Sequence, residues 1–296
     1  MTSYPAPRPV PRHIIRPTYV PGNFFSAPWG DHDVPPDLTE LKGRIQLGGE
    51  EERAVKAVSR MAAEVLRNVG ALVKPGVTTA QLDLAIHEMI IAHGAYPSPL
   101  GYSSFPRSCT TSVNNVIARK WYSGRMLSRP LDPADIINID LTLFCSSYHG
   151  DTSATFILPA VDEIGREFVE ATREALELGI SACGPGREFR GIGRAIEDFA
   201  HHRGFSVNTQ FSGHGIGRRF HHAPWILHHR NEEPGVMLPG DCFTIEPCLV
   251  QGPDSRGRMW DDGWTMMTET NARSAQFEHQ VLIQQDGVEV LTRLLE

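Results

Sequence analysis

Polar and apolar positions alternate along the stretch from Ala134 to Asp151. Ile137, Ile139, Leu141 and Leu143 interleave with Asn138, Asp140 and Thr142. This period of two sends apolar side chains to one face of a β-strand and polar ones to the other. Asp140 is out of character there, because aspartate is depleted in strands and a buried, unpaired carboxylate needs a cation or strong donors. A second acid, Asp151, closes a His149-Gly150-Asp151 sequence that reads as a turn. Two acids on one stretch suit a hard-cation site. On these two residues alone, a polar strand face with an ordinary turn aspartate is the stronger reading.

Upstream the period is helical. From Gly49 to Val73 the stripe Val55, Val58, Ala62, Val65, Leu66 and Val69 predicts an amphipathic helix, with Glu50, Glu51 and Glu52 in the first turn where negative charge complements the helix dipole. Lys74-Pro75-Gly76 ends it. Thr78 or Thr79 then caps a second helix that runs to about His93 and stops at Gly94.

The pattern recurs further on. At an offset of 110, Pro75-Gly76 falls on Pro185-Gly186, Ala85-Ile86 on Ala195-Ile196, and Gly94 on Gly204. The strand segment Asp135–Asp140 matches Asp241–Glu246 at an offset of 106, acid for acid. These matches predict a duplicated unit of two helices followed by antiparallel strands, related by a pseudo-twofold axis. A site at the seam would draw one strand carboxylate from each half.

Composition narrows the class. The 296 residues are 41% hydrophobic and 21% charged, as in an ordinary globular chain, and the net charge of −7 gives no sign of a nucleic-acid surface. No apolar run approaches the roughly 18 residues that span a bilayer. The five cysteines include no CxxC pair, which argues against a disulfide scaffold and fits a reducing compartment. Residues 1–42 are rich in proline and carry Arg8, Arg12 and Arg16 with no acid before Asp31. Proline at this density prevents the amphipathic helix of a mitochondrial presequence. The expectation is therefore an N-terminal extension over 1–42, packed on the domain or partly disordered, a catalytic domain over 43–296, and a cytoplasmic location.

Three further residues join the two acids. His214 sits in Gly213-His214-Gly215-Ile216-Gly217, whose small neighbours would let a ligand approach the backbone. Glu246 lies in Thr244-Ile245-Glu246-Pro247, and Glu278 precedes the alternation of Val281 and Ile283. Four carboxylates and one imidazole suit two divalent ions about 3.5–4 Å apart. Each alone has a plain explanation, a solvated strand end or a glycine loop, but the set on strands of both halves is hard to obtain that way.

These residues sit in motifs that resemble a known family. YPSPLGY (Tyr96–Tyr102), NIDLT (Asn138–Thr142), YHGDTS (Tyr148–Ser153), GHGIG (Gly213–Gly217), FHHAP (Phe220–Pro224), TIEP (Thr244–Pro247) and SAQFEH (Ser274–His279) are similar to type I methionine aminopeptidases over roughly residues 43–296. The resemblance implies a mixed α/β (α+β) pita-bread fold around two divalent ions, with Co²⁺, Mn²⁺, Fe²⁺ or Zn²⁺ all compatible. It assigns Asp140 to one ion, His214 and Glu246 to the other, and Asp151 and Glu278 to both. His221 would contact the substrate and steady the tetrahedral intermediate. Tyr102, Phe105 and Trp264 would wall a methionine pocket, with Phe211 framing His214. Glu246 would take the proton of the attacking water and pass it to the leaving amine. The implied substrates are nascent polypeptides whose second residue is small, met near the ribosome by a monomeric enzyme that binds neither nucleic acid nor membrane.

One position departs from the pattern. Where the family carries a substrate-contacting histidine, alkylated by fumagillin-type spiro-epoxides, this chain has Arg119. Arginine gives up no proton at working pH, so it is neither an acid–base group nor such a nucleophile. The resemblance then implies either an active, epoxide-resistant aminopeptidase or a weakened enzyme kept as a binding scaffold; the intact set of five ligands favours activity. His222-Ala223, after His221, stand where relatives are often acidic, and this pair and His228-His229 both read as surface or supporting residues. X-Pro peptidases share the five ligands but usually carry a larger N-terminal domain.

Overall fold

The computed structural model describes residues 6–26, 37, 39, 43–119, 129–260 and 265–294. Helix α1 spans Glu50–Gly70, and all six residues of its expected stripe are buried. It ends three residues earlier than the period predicts, because Leu72 and Val73 close tight turns onto Val69 and Gly70. Helix α2 spans Thr79–Ala92 and opens on a capping box: Thr78 accepts from the Gln81 N–H while the Gln81 side chain accepts from the Thr78 N–H.

The hairpin under α1 pairs Ile136–Cys145 with Tyr148–Ile157 in antiparallel register. Ser146 and Ser147 make its turn, both with left-handed φ (50° and 69°), the geometry that matches the twist of two-residue hairpins. Asp151 is therefore not a turn residue, as His-Gly-Asp suggested. It lies inside the second strand, opposite Thr142. Gly150 serves packing instead: a Cβ there would meet the Val58 carbonyl oxygen of α1 at 2.5 Å, so its bare backbone lets helix and strand touch. The apolar face of Ile136–Cys145 packs on α1 and α2, and the polar face looks toward the other half.

That other half repeats the unit with helices α3 (Glu163–Ser181) and α4 (Arg190–His202) over its own core. Its hydrogen bonds repeat the offsets read in the sequence. Gly76 N–H donates to Leu131 O and Leu131 N–H to Val77 O, while Gly186 N–H donates to Met237 O and Met237 N–H to Arg187 O. Before the strands, Asp135 Oδ2 accepts from the Asp132 N–H at 2.7 Å, and Asp241 Oδ2 from the Leu238 N–H at 2.8 Å. The pseudo-twofold is thus written into equivalent bonds as well as equivalent helices. The second half contributes an antiparallel five-stranded sheet ordered Val288–Val290, His279–Ile283, Cys242–Ile245, Gly213–Gly215 and His222–Ile226. Polar side chains stitch the seam: Asn138 Nδ2 and Thr155 Oγ1 both donate to Gln276 O, and Thr152 Oγ1 donates to Glu278 O.

The proline-rich segment packs on the first half. Val10, Ile14 and Phe24 form a third cluster with Tyr96, Leu100 and Phe144, and Arg8 pairs with Asp83 of α2 at 3.1 Å. The expected boundary at residue 42 lies outside the described residues. Among the described residues no helix is long and apolar enough to cross a membrane.

Two substitutions test this frame. Burial alone would raise the pKa of Asp135, but Arg129, the Asp132 N–H and Asn114 outweigh it and hold the carboxyl below its usual range. Asp135→Ala is expected to lower unfolding free energy by about 2–3 kcal/mol at neutral pH, the scale of lost bonds to a charged group. A depressed folded pKa stabilises above the unfolded pKa and is lost as pH falls through the folded one, so in urea melts the gap between wild type and variant should begin to close near about pH 4 and narrow further as pH falls through the lower folded value. Gly150→Ala forces α1 off the strand and should cost about 3 kcal/mol, the upper end of overpacking effects.

Candidate metal centre

The five predicted ligands converge at the seam. Asp140 points from the polar face of its strand, between Thr110 on one side and Ser153 on the other. Glu246 follows directly after the Cys242–Ile245 strand, and His214 stands in the strand beside it. Glu278 bridges to Ser153 of the first half. Asp140, Asp151, His214, Glu246 and Glu278 all line one cavity of about 480 Å³.

His214 Nδ1 bonds to Gly215 O at 3.2 Å, which places its proton there and turns a bare Nε2 inward. That nitrogen lies 3.7 Å from Asp151 Oδ2 and 3.6 Å from Glu246 Oε1. Both distances are too long for hydrogen bonds. One ligand atom each from Asp151, His214 and Glu278 falls within 4.8 Å of the others.

Electrostatics explain what this arrangement lacks. Burial pushes Asp140 up to about 7. Asp151, Glu246 and Glu278 are raised well above the carboxylate range, first by burial and then by the charge of neighbouring acids, Asp140 among them in each case. Burial lowers His214 to about 4, so its imidazole is neutral. Among the described residues no lysine or arginine forms an ion pair with any of the four acids; His214 alone is near. Buried acids at this density must be protonated or balanced by cations, and four carboxylates with one bare imidazole nitrogen fit divalent ions.

Neighbouring side chains fix the acids. Thr142 Oγ1 donates to Asp151 Oδ1 at 2.6 Å, and Thr244 Oγ1 to Glu246 Oε1 at 2.8 Å. Thr244 Oγ1 also accepts the His214 N–H, and Gln276 Nε2 donates to Glu246 Oε2 at 3.3 Å. Gln280 accepts the Asp151 N–H at 3.1 Å. None of these four was singled out from the sequence, yet their signal was present: Asn138-Asp140-Thr142, Thr244-Glu246 and Gln276-Glu278-Gln280 each keep the period of two on the ligand face.

One expectation changes and another is settled. Gly213 and Gly215 do not leave room for a ligand: Cβ atoms there would meet Thr244 O at 2.2 Å and His222 Nδ1 at 2.5 Å, so the protein itself fills that space. Of the two roles open to His228, surface or supporting, the structure takes the supporting one. His228 is 1% exposed, and its Nε2 accepts the Glu246 N–H at 3.1 Å, where the strand ladder has ended. Burial, then the nearby His229 and His214, pulls its pKa to about 3. Its signal was the inward alternation Ile226, His228. His229 lies partly exposed, as expected.

The expected substrate residues divide. Tyr102, Phe105, Phe211 and His221 line the metal cavity. The His221 ring stacks on Phe220 at 3.9 Å and lies 4.2 Å from that of His214. Arg119 ends the strand Val116–Arg119, opposite Thr265; its side chain, and the whole of Trp264, lie outside the described residues.

The sequence profile of Metallopeptidase family M24 matches residues 53–285. The chain belongs to that family. Methionine aminopeptidase 1D of Arabidopsis thaliana, chloroplastic/mitochondrial by name, is 48% identical over 287 residues, covering 97% of this chain and 77% of the plant protein. The mitochondrial methionine aminopeptidase 1D of Homo sapiens is 43% identical over 286 residues, covering 97% of this chain and 80% of its own. Among solved structures, methionine aminopeptidase from Rickettsia prowazekii superposes on this M24 chain with a TM-score of 0.79 at 36% identity, covering 84% of this chain and 100% of that one. The prolidase from Pyrococcus furiosus, at 18% identity and a TM-score of 0.64, shares the fold alone.

The organellar names of the relatives overturn the expected cytoplasmic location. The expectation leaned on proline breaking a presequence helix. Those prolines belong to a segment that packs on the domain, so their failure to form a helix carries no address.

Replacing His228 should be felt at the metals. His228→Phe strands the Glu246 N–H, and divalent-ion affinity should fall by roughly 10- to 100-fold, as for other groups that orient ligands. Calorimetric titration of the metal-free protein with Mn²⁺ measures it.

Proposed function

We propose that this M24 chain is a methionine aminopeptidase that removes the first residue from peptides and nascent proteins whose second residue is small. The observation that carries this reading is the sharing of one cavity by the five ligands and the side chains of Tyr102, Phe105, Phe211 and His221. The relatives' names support it, and they favour it over an X-Pro peptidase or an inactive scaffold. Nascent chains leaving a ribosome are the substrates it implies, and a single chain suffices for the site.

In this reading Asp140 would hold one ion and His214 with Glu246 the other, with Asp151 and Glu278 shared between them. Bound there, divalent ions supply Lewis acidity and make a water acidic enough to attack near neutral pH. The aromatic rings of Tyr102 and Phe105 receive the thioether through dispersion and sulfur–aromatic contact. Glu246, oriented by Thr244 and Gln276, takes the water's proton and returns it to the leaving amine. His221 donates to the oxygen that gains charge as the carbon becomes tetrahedral. Expected outcomes are turnover of Met-Ala-Ser with Co²⁺ or Mn²⁺, its loss on chelation, and a fall of about 10²–10⁴ in kcat for Glu246→Gln. Absence of turnover with every divalent metal, in protein shown to bind two ions, would sink the proposal.

Arg119 adds a finer proposal. With arginine where the resemblance places the alkylated histidine, the enzyme is active yet refractory to spiro-epoxides. Arg119→His should gain time-dependent inactivation and one covalent adduct by mass spectrometry. Turnover confined to the histidine variant would instead mark the native chain as a scaffold.

A further inference from the structure

Beside the metal cavity runs a second groove of about 460 Å³, walled by Phe189, Pro224, Trp225, Leu227 and Pro234. Trp225 and Ser212 line both spaces, so the Trp225 indole is a partition between them. It is 56% exposed and sits on His222–Ile226, the outermost strand of the five-stranded sheet. None of the groove's walls comes from the stretch that carries Tyr102 and Phe105. Tryptophan is among the residues that most often anchor a contact when they stand at the rim of a pocket.

What the groove meets follows from the reaction. The inference rests on the aminopeptidase reading. Such an enzyme holds one residue on the ammonium side of the scissile bond, and the rest of the polypeptide must leave on the other side. An extended chain advances roughly 3.4 Å per residue, so its third and fourth residues lie roughly 5–9 Å beyond the bond, and Trp225 and Ser212, which line both spaces, make the groove continuous with the cavity on that side. The strand edge is poorly suited to pairing with this segment as a ladder: Pro224 has no N–H, and Ala223 O already accepts from His222 Nδ1 at 2.6 Å. Recognition there falls to side chains. The groove's cation, Arg190, is held by Glu188 at 2.7 Å and Glu232 at 2.8 Å; Ser212, Asn231 and Glu233 complete the lining beside the five apolar residues.

We propose that this groove takes an apolar side chain from the third or fourth residue of the polypeptide substrate, with Trp225 as its platform. Substrate choice then extends beyond the first two residues, toward chains with Leu or Phe downstream.

The test compares Met-Ala-Leu-Leu-Ser with Met-Ala-Ser-Ser-Ser on the metal-loaded enzyme. KM should be roughly five- to tenfold lower for the leucine peptide, the scale of burying part of one apolar side chain. Trp225→Ser, at an exposed position that the fold tolerates, should erase most of that ratio, and Leu227→Ser should reduce it. The same ordering should appear in calorimetric binding of analogues whose first peptide bond is reduced and cannot be cleaved. Equal KM and equal binding for the two peptides in the native protein, or a ratio untouched by Trp225→Ser, would overturn the groove. Ordered binding with no cleavage of either peptide would reject the aminopeptidase reading and keep the groove.

Discussion

Four carboxylates share one buried seam, and the rest of the structure is arranged to tolerate their mutual repulsion. Asp140, Asp151, Glu246 and Glu278 each resist ionisation because burial penalises the anion, and for the last three neighbouring negative charge adds to it. A protein can keep such a cluster only by protonating it or by supplying cations. Nothing cationic from the described chain pairs with it. The cluster is therefore poised for divalent ions, and the thriving of hydrogen-bond donors around it (Thr142, Thr244, Gln276) shows where the acids are held in readiness. Thr142 holds one oxygen of Asp151, while Thr244 and Gln276 hold one oxygen each of Glu246.

The duplicated architecture explains how so much charge came to lie in one place. A carboxylate on each central strand is one event repeated: Asp140 and Glu246 occupy equivalent positions, preceded by equivalent turn aspartates, Asp135 and Asp241. The halves then diverge. The first adds Asp151 from its hairpin partner, while the second adds His214 from the strand on one flank of Cys242–Ile245 and Glu278 from just before the strand on the other. Symmetry sets the axis of the site, and asymmetry sets the different ligands available around it. The contacts that fix both are backbone-close, at Gly150 against α1 and at Gly213 against Thr244.

Much of this was legible because it rests on periodicity. The stripe of α1, the Thr78 cap, the strand around Asp140 and the two offsets are local patterns that tertiary packing had no reason to override. What the sequence concealed depended on contacts between distant segments. Gly150 looks like a turn glycine, yet the turn is made by Ser146 and Ser147, and the missing side chain serves a helix some ninety residues upstream in the chain. His228 looks like half of a solvated pair until Glu246 is seen to end its strand beside it. The proline-rich segment looks like an arm because proline forbids helix and ladder; it does not forbid burial.

That segment reaches further into the site than its composition suggests. Tyr19 is 2% exposed, donates its hydroxyl to Ser98 O at 2.7 Å, and meets Tyr102 edge-to-face at 4.9 Å. Ser98 Oγ in turn bonds His149 Nδ1 at 2.8 Å, two residues before Asp151. The His149 ring stacks near Phe220 at 5.2 Å, and Phe220 stacks on His221. An aromatic and hydrogen-bonded layer thus runs from the N-terminal segment to both the wall of the cavity and the strand that carries a metal ligand. Because interiors transmit displacement rather than absorb it, a loosened Tyr19 would be felt by Tyr102 and His221 through ring contacts, and by Asp151 through Ser98 and His149. The metals hold the acids together at the seam, and this layer holds the organic half of the cavity in register with them.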